Sequence, residues 1–232
     1  MRTIIVATPH DRNDYLVKLL LETNNLNVVR IRNQNDLTVE FLDRVSPEYV
    51  FFPHWSWLIP NSIYTKFECV VFHMTDLPFG RGGSPLQNLI SRGIYETQVS
   101  ALKCVKETDA GPIYLKRPLS LHGTAEEILL RVSSVIGEMI LYMLANRLYP
   151  AEQVGDPIKF ERLKPSQGNL LDVGSLSQAF DRIRMLDADG YPSAFIDAGN
   201  FRFEFTRASL KSDLIIADVK ISIQKKSTKE KI

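Results

Sequence analysis

Short apolar runs alternate with segments of helical spacing over the first 52 residues. The run 3–7 is continuous and rich in β-branched residues, which is typical of a strand buried on both faces of a parallel sheet. Residues 27–31 and 49–52 are two further runs of strand length. Between them, 14–22 and 36–47 carry apolar residues at helical intervals. This order predicts a parallel sheet with right-handed crossovers.

The turn after the first strand lacks the signature of a dinucleotide site. Its sequence, ATPHDRND, contains no glycine. A dinucleotide fingerprint needs glycines there, because the backbone must approach the pyrophosphate closely. The chain therefore has a Rossmann-like start, with no dinucleotide expected on this turn.

The stretch 69–87, CVVFHMTDLPFGRGGSPLQ, is the centre of the pattern. An apolar run predicts a buried strand over 69–72, and His73 follows at its end. Proline and glycine then predict an irregular loop, because both interrupt regular structure. Ser84 is a predicted N-cap, and Pro85 suits the first position of a helix over 85–92. Open α/β sheets place their chemistry at such a strand–loop–helix junction.

The next segment predicts a pair of strands and a long helix. Residues 96–107 alternate well enough for a strand, and 112–119 form a second one whose proline suits an edge. The turn between the two contains Asp109-Ala110-Gly111. A capping box, TAEE, starts at Thr124 and predicts a helix to about Leu148.

A second unit with different signals follows a linker at 150–155. A strand over 157–160 and a helix over 176–186 precede three strands, separated by Gly199-Asn200 and Lys211-Ser212-Asp213. We expect a domain over 1–150 and a small, mostly antiparallel β unit over 151–232. A unit of about 80 residues buries little surface alone, so it should pack on the first domain.

Composition narrows the class of protein. The net charge of +1 provides no field for nucleic acid or membrane, and the basic segment 225–231 is most simply a solvated end. Two separate cysteines, Cys69 and Cys104, suggest a reducing compartment. No apolar run approaches about 20 residues, and the chain starts directly in a strand. These features predict a cytoplasmic protein without a transmembrane helix or signal peptide.

The candidate chemistry centres on one histidine and one aspartate. The scattered histidines and cysteines show no metal-ligand spacing, and no Gly-x-Ser-x-Gly turn is present. A metal site and a covalent acyl-enzyme are therefore disfavoured. His73 and Asp109, each in a glycine-rich turn, suit direct attack of an amine on a bound acyl donor. His10 and His122 are interpreted as structural or surface residues.

The segment 53–60, PHWSWLIP, places two tryptophans between two prolines after the third strand. Such a rigid aromatic loop serves either as a cap on the core or as one wall of a pocket for a planar heterocycle. The residue types alone leave both interpretations open.

The central stretch resembles the signature of the folate-dependent formyltransferases. That family carries Asn-x-His-x-Ser-x-Leu-Pro, then Arg-Gly, and later Asp-x-Gly before a strand. HMTDLP from His73, the pair Arg81-Gly82 and the turn at Asp109 match this pattern, with threonine in place of serine. Val71 occupies the position of the family asparagine in this chain.

Three further segments sharpen the resemblance: PHWSW near 54, FHMTDLPFGRGGSP, and IRMLDADGYP near 184. They resemble the sugar N-formyltransferases of pseudaminic-acid-type pathways and the formylation domain of linear gramicidin synthetase. The likeness covers nearly the whole chain. It implies an α/β fold with a Rossmann-like formyltransferase domain and a small OB-like C-terminal subdomain.

The resemblance also implies a donor and two functional groups of residues. The donor is 10-formyltetrahydrofolate, whose pterin lies against the aromatic loop. His73 stabilises the tetrahedral oxyanion or manages the amine proton, and Asp109 orients His73. A backbone N–H or His54 is expected to replace the missing asparagine. The predicted pterin contacts are Ser56, Trp57, Leu58 and Ile59.

The acceptor implied by the resemblance is a nucleotide-linked aminodideoxy sugar, with UDP as the expected nucleotide. Arg81, Gly82, Ser84 and His54 are the predicted substrate contacts, because this loop offers a cation and N–H groups. Three alternatives stay open: an aminoacyl group on a carrier protein, methionyl-tRNA, and a catalytically silent binding module. The sequence does not determine the oligomeric state.

Overall fold

The computed structural model describes residues 1–224, so the basic segment 225–231 lies outside the described residues. The strands are β1 (Arg2–Ala7), β2 (Leu26–Ile31), β3 (Tyr49–Phe52), β4 (Cys69–His73), β5 (Phe79–Gly82), β6 (Glu96–Lys103), β7 (Ile113–Ser120), β8 (Ile158–Phe160), β9 (Ala194–Ala198), β10 (Phe201–Leu210) and β11 (Ile215–Ile223). The helices are α1 (Asp14–Leu21), α2 (Val39–Val45), α3 (Asn61–Tyr64), α4 (Pro85–Ile90), α5 (Ala125–Asn146) and α6 (Leu176–Arg184).

Six strands form the main sheet in the order β2-β1-β3-β4-β6-β7. The four strands from β2 to β4 pair in parallel, which confirms the predicted βαβαβ start. The last two strands join antiparallel, so the sheet is mixed. The carboxyl ends of β1, β3 and β4 therefore meet at one edge, where the candidate site lies.

The sheet is covered on both faces, as the continuous apolar run of β1 predicts. Ile4 and Val6 belong to the larger core cluster, which also contains residues of α1 and α5. Ile5 and Ala7 belong to a second cluster, which contains Leu42 of α2 and Ile63 of α3. All four of these β1 residues are fully buried. Alternate side chains of one strand thus fill two cores.

Helix α5 begins with the predicted capping box. The Thr124 hydroxyl accepts from the Glu127 N–H, and the Glu127 carboxylate accepts from the Thr124 N–H. By length and composition α5 could cross a membrane, which the sequence analysis did not expect of any segment. Its most apolar window is 56% buried inside the protein. That burial is the property of a core helix, which packs here against α1 and β7.

Two helix starts differ in part from the prediction. Helix α2 begins after Thr38, whose hydroxyl accepts from the Phe41 N–H, and not at residue 36, which lies in a separate 3₁₀ turn. Ser84 occupies the N-cap position of α4 and Pro85 begins the helix, as predicted, but the Ser84 side chain makes no capping hydrogen bond. Its hydroxyl instead accepts from the Leu163 N–H, 3.0 Å away, so it ties the loop to the second unit.

Part of the loop predicted to be irregular is a strand. β5 pairs in parallel with β8, which belongs to the second unit. Gly82 has a φ of +111°, and a Cβ there would lie 2.5 Å from the Phe160 carbonyl oxygen. Glycine thus allows the two backbones to approach, so the residues that interrupt regular structure elsewhere permit pairing here.

The second unit contains a three-stranded antiparallel sheet in the order β11-β10-β9, with α6 packed against β10. The β9–β10 hairpin turns at Gly199-Asn200, as predicted. The boundary between 1–150 and 151–232 stays a prediction. The β5–β8 pairing links the two parts across it.

Candidate active site

A cleft of about 950 Å³ lies at the carboxyl edge of the main sheet. One wall comes from the loops after β1, β3 and β4, and the opposite wall comes from the second unit. The residues that line the cleft include His10, Arg12, His54, Trp55, Ser56, Trp57, Leu58, His73, Ser84, Gln87, Thr108, Arg162, Lys164, Asp189 and Tyr191.

His73 ends β4 and is buried, with 8% of its surface exposed. Its Nε2 lies 2.8 Å from the carbonyl oxygen of Gly80. A carbonyl only accepts, so Nε2 carries a hydrogen. Its Nδ1 lies 3.5 Å from Oδ2 of Asp109. Both ring nitrogens therefore face acceptors, and a doubly protonated ring satisfies both of them.

Asp109 lies in the turn between β6 and β7, as predicted, with a φ of +56°. Aspartate tolerates this left-handed conformation better than most residues. Its Oδ2 also accepts from the Gly82 N–H at 3.0 Å. Oδ2 of Asp109 is thus shared between the glycine-rich loop and His73, which places the two predicted catalytic residues together.

A short chain of hydrogen bonds holds the Asp109 turn from behind. Gln153 donates from Nε2 to the carbonyl oxygens of Asp109 and Gly111, both at 2.8 Å. The Gln153 Oε1 accepts from the guanidinium of Arg81 at 2.8 and 3.1 Å. Gly111 is required for close packing, because a Cβ there would lie 1.8 Å from the Lys103 carbonyl oxygen.

The predicted substrate contacts are divided by this arrangement. Arg81 and Gly82 do not line the cleft. Arg81 donates to Gln153, which supports the Asp109 turn, and the Gly82 N–H donates to the Asp109 carboxylate itself. Ser84 and His54 do line the cleft. The role of all four as substrate contacts stays a prediction, and for Arg81 the observed role is that of an anchor.

The aromatic loop forms the rim of the cleft. Trp57 packs edge-on against Trp55, with ring centroids 4.8 Å apart, and Leu58 is 85% exposed. Ser56 also lines the cleft, whereas Ile59 packs beside the second core cluster. Of the four predicted pterin contacts, the structure thus brings three to the cleft.

His54 differs from His73 in its electrostatic surroundings. Burial, and to a lesser degree the neighbouring Arg12 and His10, lower its pKa to about 3. Its Nε2 is buried and has no hydrogen-bond partner among the described residues. His54 thus has a neutral ring with one unused nitrogen, and the residue lines the same cleft.

Val71 occupies the position of the family asparagine, so β4 carries no polar side chain there. Its side chain is half-buried and packs against the apolar residues of the second core cluster. No oxyanion donor is thus available from this position of β4.

Sequence reasoning missed several residues of the cleft and its support. Gln153 lies in the segment interpreted as a linker, and Asn13 is fully buried beneath His54. Arg162 and Lys164 are exposed cations on the opposite wall. Their only sequence signal is a polar loop of no regular period. His10, interpreted as structural, also lines the cleft.

The described residues hold no cluster of three or more His, Cys, Asp or Glu side chains arranged for a metal ion.

Comparison with known proteins decides the family. The model of the C-terminal domain of methionyl-tRNA formyltransferase matches residues 165–222. A solved structure described as methionyl-tRNA formyltransferase from Clostridium thermocellum is 48% identical, covers 97% of this chain and 100% of its own, and superposes with a TM-score of 0.94. The chain belongs to the formyltransferase family. Its mixed sheet and C-terminal antiparallel sheet are those of the formyltransferase fold.

More distant formyltransferase relatives are larger. The methionyl-tRNA formyltransferase of Rickettsia typhi is 26% identical over 144 residues, 59% of this chain and 48% of that protein. The chain thus spans about half the length of that curated relative. HypX from Aquifex aeolicus, solved in complex with tetrahydrofolic acid, superposes with a TM-score of 0.73 over 90% of this chain and 38% of its own. At 17% identity it shows the fold alone.

Proposed function

We propose that this formyltransferase moves the formyl group of 10-formyltetrahydrofolate to a primary amine in the cleft. The observation that carries the proposal is the pair of buried His73 and half-buried Asp109, 3.5 Å apart, at the edge where family motifs and geometry coincide. The name of the 48%-identical relative and the tetrahydrofolate complex of HypX support the same donor class.

The described side chains have the following roles in this mechanism. The neutral amine attacks the formyl carbon, and the carbonyl oxygen becomes an oxyanion. When this intermediate collapses, the bond between the formyl carbon and N10 of the folate breaks, and tetrahydrofolate leaves with the proton that the amine loses. His73 releases its Nε2–H from the Gly80 carbonyl toward that oxygen, or takes part in moving the amine proton. Asp109 holds the positive charge of the imidazolium. The pterin lies against Ser56, Trp57 and Leu58.

Methionyl-tRNA is the acceptor that the comparisons favour, and the sequence analysis gave it as an alternative. The 48%-identical relative and the matched C-terminal model both carry that name. Arg162 and Lys164, exposed cations on the second unit, are suited to phosphate groups near the amine. The nucleic-acid partner that the net charge disfavoured thus returns as a proposal.

A nucleotide-linked amino sugar is the second candidate. It is supported by the motifs around His54 and Arg184, by the near-zero net charge and by the small second unit. The same cations would hold its diphosphate. A cytoplasmic location and the absence of a membrane partner stay predictions.

The acceptor is tested by competition in one reaction. The protein is given 10-formyltetrahydrofolate with methionyl-tRNA and a nucleotide-linked 4-amino sugar at equal concentrations, and formylated products are measured by mass. We expect formylmethionyl-tRNA to dominate. Faster formylation of the sugar nucleotide would favour the second candidate, and formylation of neither would contradict both.

A further inference from the structure

The tautomer of His54 follows from its buried neighbour, Asn13. The Nδ1 of His54 lies 3.3 Å from the Asn13 Oδ1. The Asn13 amide nitrogen faces the Thr8 hydroxyl at 2.6 Å and the Pro53 carbonyl oxygen at 3.5 Å. That carbonyl only accepts, so the nitrogen of the Asn13 amide must face it and the oxygen must face His54. The hydrogen of the neutral imidazole is therefore on Nδ1.

The other ring nitrogen, Nε2, then carries a lone pair and no hydrogen. It is fully buried and has no hydrogen-bond partner among the described residues, although His54 lines the cleft. The charged groups near the ring are Arg12 and His10, and both disfavour a second proton. A buried acceptor without a partner is costly, and a ligand N–H would remove that cost.

We propose that Nε2 of His54 accepts a hydrogen bond from an N–H group of the ligand in the cleft, and that His54 is thus a binding residue and not an oxyanion donor. The proposal rests on the proposed function for the ligand's identity. The N–H comes from the pterin ring of the folate or from the acceptor amine. The inference also removes His54 as a replacement for the family asparagine, because Nε2 has no hydrogen to donate.

The neighbouring Trp55 strengthens the case for a ligand with both donors and acceptors. Its Nε1–H is also buried without a partner, and Trp55 lines the same cleft. The loop therefore presents one unused acceptor and one unused donor. A heterocycle edge with N–H and carbonyl groups has the matching chemistry.

The variant His54→Asn tests the acceptor directly. Asparagine tolerates the φ of +53° at this position, and its amide can replace Nδ1 opposite Asn13 while removing the acceptor at Nε2. The control is His122→Asn, an exposed histidine stacked on Tyr95 outside the cleft. Calorimetry measures the Kd of tetrahydrofolate, and steady-state rates give the KM of the amine.

We expect His54→Asn to weaken one of the two constants about 10- to 100-fold, while His122→Asn leaves both unchanged. A larger change in the folate Kd assigns the N–H to the pterin, and a larger change in the amine KM assigns it to the acceptor. Unchanged constants in a folded His54→Asn protein would overturn the proposal.

Nitrogen-15 NMR of labelled histidine provides a readout that needs no turnover. In the free protein, Nδ1 of His54 should give the shift of a protonated nitrogen and Nε2 that of a bare one. Addition of the ligand identified above should move the Nε2 resonance toward that of a hydrogen-bonded acceptor. A protonated Nε2 would contradict this inference alone. Failure of the wild-type protein to bind tetrahydrofolate would contradict the proposed donor instead.

Discussion

Two histidines line one cleft, and their neighbours give them opposite properties. His73 has an acceptor opposite each ring nitrogen, the Gly80 carbonyl and the Asp109 carboxylate. In His54, Nδ1 has the Asn13 oxygen as its acceptor, and Nε2 has no hydrogen-bond partner in the part of the chain that the structure describes. The first environment favours a ring that donates from both sides, and the second favours a neutral ring that accepts. We therefore expect the same type of side chain to stabilise charge at one position and to recognise the ligand at the other, according to its partners.

The largest expected effect is on the His73 side of this comparison. His73→Ala and Asp109→Ala should each lower kcat at least about 100-fold, the usual scale for an oxyanion or acid–base group. No polar group at Val71 is available to compensate for the loss. The rates should be measured with both substrates saturating, and circular dichroism should show folded variants. A near-normal kcat in either would contradict the assignment.

A substitution in the turn that carries Asp109 should disturb the surroundings of His73 while both histidines stay in place. Gly111→Ala forces a Cβ to within 1.8 Å of the Lys103 carbonyl oxygen, so the Asp109 turn must move. We expect a loss of about 2 kcal/mol in the free energy of unfolding, measured by urea denaturation. The control Gly174→Ala meets no atom closer than 3.7 Å and should cost far less. Equal losses in the two variants would show that the turn adapts freely.

The lowered pKa of His54 predicts that the stability of the protein depends on pH. The pKa of His54 is about 3 in the folded protein against 6.5 ordinarily, because the ring is buried. Below pH 6.5 the unfolded chain binds a proton that the folded chain does not, so stability falls as the pH drops from 6.5 toward 3. Between pH 7 and pH 5 this contribution is at most about 2 kcal/mol.

The variant His54→Asn lacks that titration, so it should lose less stability than the wild-type protein over the same interval. Urea denaturation at pH 7 and at pH 5 measures the difference. If both proteins lose the same amount, His54 is not held neutral by the fold.

The smallest expected effect concerns the rim. Trp57 is 39% exposed and packs on Trp55. Trp57→Ala should weaken folate binding about fivefold, because an aromatic contact contributes about 1 kcal/mol. The KM of the amine should change less. Calorimetry giving the reverse order would move the pterin away from this loop.

Local pattern was sufficient for the sheet and for the residues that end its strands. The βαβαβ start, the capping box at Thr124 and the meeting of His73 with Asp109 follow from strand order and from turns at one edge. Contacts across long separations were not accessible in this way. Gln153 lies 44 residues from the Asp109 carbonyl that it holds, and Asn13 lies 41 residues from His54. No local period marks a buried amide as an orienting group.

The missing side-chain cap at Ser84 and the strand β5, in place of the predicted irregular loop, have the same physical reason. Both depend on β8 and Leu163 of the second unit, which supply the partner for the backbone and for the hydroxyl. Proline and glycine correctly indicate that the loop forms no regular structure by itself. They do not indicate that another segment of the chain pairs with it.

We propose that His73 and Asp109 together promote formyl transfer from the folate to an amine. The most direct measurement follows tetrahydrofolate release and amine formylation together, in a single turnover with the acceptor preferred in the competition. We predict one formylated amine for each tetrahydrofolate released, and loss of both signals together in His73→Ala. Release of tetrahydrofolate without formylated amine, or equal transfer by wild type and His73→Ala, would contradict the account.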